Sequence, residues 1–128
     1  MNIILAKPLP DEFVAGLRAN FPDVTFHVAL TDDEQMRYIK DADAYFGWPS
    51  RDVFAASDKL RWIQNPGAGI DQVLTVPEII DSDVVLTNCL GPHAPPMADH
   101  VFGMILTFAH RLREIWEDQK AHHWDTYK

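Results

Sequence analysis

Short apolar runs alternate along this chain with segments whose apolar positions recur every three or four residues. Asn2 to Ala6, "NIILA", is a β-branched run closed by Lys7-Pro8, which predicts a buried strand. In "LPDEFVAGLRANF" that follows, Phe13, Leu17 and Phe21 share one helical face. Asp11 and Glu12 stand in its first turn and Pro22 stops it, as a helix requires. Val24 to Leu30 predicts a second strand. Thr31-Asp32-Asp33-Glu34 opens a helix that should turn Met36, Ile39 and Tyr38 inward, with Thr31 and Glu34 forming a reciprocal capping box. "DAYFGW" predicts a third strand broken by Pro49, Arg51 to Ala56 a short helix, "RWIQN" a fourth strand, and Val84 to Asn88 a fifth. No repeat or low-complexity segment interrupts the pattern.

Strands joined by helical segments of about ten residues need crossover connections, and in one sheet these are parallel and right-handed. Near-continuous apolar runs suit strands covered on both faces. The expectation is an α/β fold, a doubly wound parallel sheet of five strands. Ligands of such sheets gather at the carboxyl ends of the strands. Those ends are Trp48-Pro49, Pro66-Gly67-Ala68-Gly69 and Asn88-Cys89-Leu90-Gly91.

From Pro95 onward the chain carries no convincing breaker, and a long helix is predicted over 96–128 after a first domain at 1–95. Pro96 suits a first turn and Asp99 would complement the helix start. Val101, Phe102, Met104, Ile105, Leu106, Phe108 and Ala109 are apolar almost all round, the mark of a helix covered on more than one side. Beyond Arg111 it turns polar, with Leu112, Ile115 and Trp116 as a stripe. No stop signal precedes Lys128, so more chain is expected after it.

Composition narrows the function. A formal charge of -8 disfavours phosphate backbones and anionic lipid, so neither nucleic acid nor a membrane surface is an expected partner. The single Cys89 excludes a disulfide framework and suits a reducing compartment. No signal-peptide succession or membrane-length apolar run is present, and a cytoplasmic protein is the simplest expectation.

The stretch with most chemistry is "NPGAGID", Asn65 to Asp71, directly after the fourth predicted strand. A dinucleotide loop would need a third glycine where Gln72 stands, and it would follow the first strand. Nucleotide phosphate is therefore a poor fit. Two readings stay open from spacing alone: a tight turn whose glycines take positive φ, or an anion-binding turn of exposed backbone N–H groups.

"LRWIQNPGAGIDQVL", the run "VVLTN", "GPHAPPMADHVFGMILTFAHRL" and Trp124 together resemble the N-terminal part of the D-isomer-specific 2-hydroxyacid dehydrogenases. The resemblance implies a flavodoxin-like substrate domain whose long helix leads into a Rossmann domain binding NAD or NADP. It implies that the amides of Ala68 and Gly69 receive the carboxylate of a small 2-hydroxy or 2-oxo acid, such as glyoxylate or hydroxypyruvate. His93 and Trp48 would face the substrate, although His93 departs from the small polar residue usual there. Ala68 and Met97 would touch the cofactor, and Asp99 replaces a usual Glu. The family's His acid/base, its Glu partner and its carbonyl-polarising Arg match nothing here, so no residue of this chain is expected to be catalytic and the chain alone should be inactive. A homodimer through the long helix is the expected assembly.

The competing reading is a stand-alone flavodoxin-like binding or receiver-type module without enzyme activity. A receiver needs acidic residues after its first strand and a phosphoacceptor Asp after its third, where this chain has Lys7-Pro8 and Trp48-Pro49. A flavodoxin would need Ser, Thr or Gly in a phosphate loop where Pro8-Leu9-Pro10 stands. Ser50, Ser57 and Ser82 lack a nucleophile elbow. His110, His122 and His123 do not form a metal-ligand pattern, and Cys89 is expected to be a small packed residue.

Overall fold

The computed structural model describes residues 1–124, apart from the side chains of Val73 and Leu74. Five short strands, β1 (Asn2–Leu5), β2 (Thr25–Val28), β3 (Ala44–Phe46), β4 (Trp62–Gln64) and β5 (Val85–Thr87), form one sheet in the order β2-β1-β3-β4-β5. Every pairing is parallel. Each strand is a residue or more shorter than its apolar run.

The connections are α1 (Asp11–Asn20), α2 (Asp32–Met36), α3 (Arg51–Ala55) and short 3-10 turns before β3 and β5. The step from β1 to β2 runs one way across the sheet and the later steps run the other way. Right-handed crossovers therefore place α1 on one face and the remaining connections on the other. The larger core follows from that split. Ile4, Tyr45, Ile63 and Leu86 align across four strands, and Ile39, Val53 and Ile79 close over that face. Each such aliphatic side chain contributes about 1.5–3 kcal/mol of burial. The opposite face is thinner, with Leu5 and Phe26 packed against Val14 of α1. An apolar groove of ≈ 310 Å³ beside α1, reaching Phe13 and Trp62, leaves part of that face open.

Three sequence expectations change here. In α1 the buried residue is Val14, while Phe13 is exposed and Phe21 lies just past the helix end. The helix sits over a narrow strip of sheet, and its broad apolar stripe exceeds it. In α2 the capping box forms as expected, but Met36 and Tyr38 stay exposed and Gln35 is buried in their place. The helix ends at Met36, so Ile39 enters the core from the next turn. Gln35 is buried because the Tyr45 hydroxyl donates to its Oε1 at 2.7 Å, while its Nε2 donates to the Ala29 carbonyl. A buried polar group with both ends paired is stable where an apolar one was expected.

Residues Met1–Leu90 form one compact unit and Gly91–Lys128 another. In the second, the long helix is α4 (Ala94–Ala109), which starts with Pro in its first turn and leaves Asp99 beyond that turn. The expected polar continuation is a separate helix, α5 (Leu112–Lys120), reached through Arg111 at φ 52. The last four residues of the predicted helical stretch, 125–128, lie outside the described residues. No residue of α4 is buried; Phe102 is 64% and Phe108 74% exposed.

Two carboxylates tie the amino edge of the sheet. The Asn2 N–H donates to Asp43 at 2.8 Å, and that bond, reinforced by Arg61, holds the Asp43 carboxyl below its usual range. Lys59 pairs with Asp41 at 2.7 Å and lowers its pKa likewise. Groups with depressed folded-state pKa values contribute stability that is present above the ordinary carboxylate range and lost as pH falls through the folded values. Urea midpoints should therefore be flat from pH 7 to about 5 and decline below about 4, and less steeply in Asp43→Asn. An equal decline in that variant would remove Asp43 from the account.

Candidate functional site at the carboxyl edge

β3, β4 and β5 end side by side, and their following loops meet. The Gly47 N–H donates to the Gln64 carbonyl at 3.0 Å, which sets the 47–49 loop beside the glycine loop. Gly47 takes φ +133, and its Cβ position lies 3.2 Å from the Ala6 Cβ, so only glycine fits there. The Tyr45 hydroxyl lies 3.4 Å from the Trp48 carbonyl and within bonding reach of it. Burial, helped by the charge of Asp32, pushes the Tyr45 phenol well above its ordinary pKa, so it remains a proton donor. Trp48 is half-buried in this loop.

The glycine loop is held by polar contacts that sequence reading did not single out. Asn65 is only 3% exposed. Its Oδ1 accepts from the Gly67 N–H at 3.0 Å, and its Nδ2 donates to the Gly69 carbonyl. From the end of β5, Asn88 Nδ2 donates to the Ala68 carbonyl at 2.7 Å, and the Cys89 N–H donates to the Gly67 carbonyl at 3.0 Å. Gln64 Nε2 donates to the Asn65 carbonyl at 2.8 Å. The one available signal was an Asn just past each of two strands, a residue type that bonds nearby backbone.

Contrary to the tight-turn expectation, positive φ occurs at Gly47 and Gly91 and not at Gly67 or Gly69. A Cβ at Gly67 would make only ordinary contacts with the Asn65 side chain. One at Gly69 would meet nothing closer than the tip of the exposed Asp71 side chain. The fold itself does not demand glycine at either place. The amides of Ala68 and Gly69 have no acceptor among the described residues. Successive free backbone N–H groups are the kind of donor set that binds anions.

In the second unit, His93 is the residue before α4 and Met97 lies one turn along it. Both are exposed, and with Pro96, His100 and Val101 they line a shallow depression. Trp48, Ala68 and Gly69 thus belong to the first unit, while His93 and Met97 lie together in the second. Cys89 is a free, half-buried thiol whose Sγ lies 3.6 Å from Gln64 Nε2. Among the described residues no group of three His, Cys, Asp or Glu is placed to hold a metal. No described helix is long and apolar enough to cross a membrane.

The geometry defines a parallel α/β domain whose loop after β4 leaves the Ala68 and Gly69 amides without an acceptor among the described residues. Residues 3–122 match the model of the D-isomer specific 2-hydroxyacid dehydrogenase catalytic domain, and the chain belongs to that family. It is 24% identical over 129 residues to D-3-phosphoglycerate dehydrogenase of Methanocaldococcus jannaschii, covering 98% of this chain and 24% of that protein. Among solved structures it is similar to a D-isomer specific 2-hydroxyacid dehydrogenase family protein from Aeromonas salmonicida, with TM-score 0.72 and 24% identity over 99% of this chain and 41% of that one. It also resembles the NADPH-dependent glyoxylate/hydroxypyruvate reductase of Sinorhizobium meliloti, solved with NADP and sulfate, with TM-score 0.65 and 26% identity over 99% of this chain and 40% of that one. The chain spans about a quarter of the curated relative's length.

Proposed function

We propose that this chain is the substrate-binding domain of an NAD(P)-dependent oxidoreductase acting on small D-2-hydroxy acids, in the direction that reduces 2-oxo acids such as glyoxylate or hydroxypyruvate. The observation that carries the reading is the glycine loop, whose Ala68 and Gly69 amides have no acceptor among the described residues and are left for an anion. Two such contacts to a carboxylate contribute roughly 1.5–3 kcal/mol each. Trp48 would close one side of that site, and the resemblance assigns His93 to the substrate as well. The similar reductase was solved with NADP and sulfate, which supports a nicotinamide cofactor for the parent enzyme.

The dinucleotide's phosphates do not fit the loop described here. Gln72 stands where a third glycine belongs, and the loop follows β4 and not β1. This chain would meet only the nicotinamide end, through Ala68 and Met97, when a second domain carries the rest. A bound nicotinamide supplies or accepts the hydride. The residues of this chain bind the carboxylate and orient the acid. The reading divides the chain into a substrate domain at 1–95 and an interdomain segment from 96, in a cytoplasmic protein.

Titration calorimetry tests the reading: glyoxylate should bind saturably and its uncharged methyl ester at least tenfold more weakly, since the ester lacks the charge the amides select. Equal binding of both would remove the carboxylate from the account. Turnover is a separate expectation. With glyoxylate, hydroxypyruvate or pyruvate and either NADH or NADPH, the isolated chain should show no rate above background. Activity that rises in proportion to purified chain would contradict a substrate domain without acid/base residues.

The bare apolar surface of α4 supports a further part of the proposal, a homodimer through this helix. Val101, Phe102, Ile105 and Phe108 are all more than half exposed. Contiguous apolar surface of this kind finds a partner. Sedimentation across a concentration series should show self-association that Phe102→Glu with Phe108→Glu abolishes. A monomer at every concentration would refute it.

A further inference from the structure

The Asn65 and Asn88 side chains have no role in the reading above, and the way they bind the loop gives them one. Every peptide bond in the described chain is trans, so the C=O of one residue and the N–H of the next point in opposite directions. Three consecutive carbonyls of the loop are pulled onto protein donors. That of Gly67 is held by the Cys89 N–H, that of Ala68 by Asn88 Nδ2, and that of Gly69 by Asn65 Nδ2. All three donors sit at the ends of β4 and β5. The partner N–H of each peptide plane, on Ala68, Gly69 and Ile70 in turn, is thereby rotated away from those strand ends. Asn65 Oδ1 also takes up the Gly67 N–H.

Resting on the reading of the loop as a carboxylate site, we infer that Asn65 and Asn88 are positioning residues for the acid, and that the Ile70 N–H joins those of Ala68 and Gly69 as a third donor to it. The assignment is plane by plane: Asn88 sets the Gly69 amide and Asn65 the Ile70 amide. Because Asn65 is buried and uses both ends of its side chain, the loop is shaped before the ligand arrives, which lowers the ordering that binding demands.

The test uses the full chain, labelled with nitrogen-15 and titrated with sodium glyoxylate at constant ionic strength. In the unaltered chain the amide resonances of Ala68, Gly69 and Ile70 should shift together with one dissociation constant. Asn65→Ala should lose the response at Ile70 first and Asn88→Ala that at Gly69. Each should weaken binding about 10-fold, the loss of one amide contact. The strand amides of Ile4 and Ile63 should stay in place in both variants, and a general loss of stability would not produce the residue-specific pattern. Asn88 is only half-buried, so its variant carries the test should Asn65→Ala fail to fold. No response at any loop amide in the unaltered chain overturns the carboxylate reading and this inference with it. Responses at Ala68 and Gly69 but not Ile70, or unaltered affinity in folded variants, overturn the inference alone.

Discussion

Gly69→Val should leave the chain folded and weaken its affinity for glyoxylate about 10- to 150-fold, the equivalent of losing one charge-assisted amide contact. The backbone at Gly69 is in a region open to any residue, because its φ is not positive. The nearest atom to an added Cβ is Asp71 Oδ1 at 2.8 Å, the end of an exposed side chain that can swing aside. Folding therefore loses little. The valine methyl groups would stand over the Ala68 and Gly69 amides and keep a carboxylate away. Calorimetric titration gives the affinity, and the urea midpoint gives the control. An affinity within twofold of the unaltered chain would show that the acid binds elsewhere.

Gly47→Ala should do the reverse, destabilising the fold by about 2–4 kcal/mol through backbone strain and overpacking. Gly47 is buried at φ +133, and the new methyl would sit 3.2 Å from Ala6 Cβ and 3.4 Å from the Tyr45 ring. Neither neighbour has a flexible end that could move, since Ala6 follows β1 and Tyr45 is fixed by Gln35. Equilibrium urea unfolding, with an unchanged slope and a lower midpoint, is the expected record. A midpoint equal to that of the unaltered chain would show that this turn relaxes freely.

These two glycines show which features the sequence exposes. The strands were legible because short apolar runs have one strong reading when flanked by Pro, Asp or Gly. The Thr31–Glu34 box was legible because a cap is a matter of residues three apart. Glycine conformation was not, since positive φ depends on how the chain must leave the sheet: the expectation of it fell on Gly67 and Gly69, and the strained turn is at Gly47. Gln35 was illegible for another reason. Its burial depends on a hydroxyl ten residues away, and hydrophobic periodicity cannot register a polar pair. The separation of α4 from α5 has no Gly or Pro to announce it; Arg111 takes the left-handed conformation instead, at a strain of about 1–2 kcal/mol.

For the site, the sequence pointed to the loop and to Trp48 by their place at strand ends, and to His93 and Met97 by resemblance alone. The loop's scaffold stayed hidden. Asn88 reaches Ala68 across twenty residues of sequence, from one strand end to the next, and only a sheet register brings them together.

The most direct measurement is a crystal structure of this chain grown with glyoxylate. The account predicts its carboxylate oxygens within about 2.7–3.1 Å of the Ala68 and Gly69 nitrogens, ordinary distances for charge-assisted bonds, with the 2-oxo group facing away from the strand ends. An ordered acid anywhere else on the chain, with the glycine loop holding only water, would contradict it.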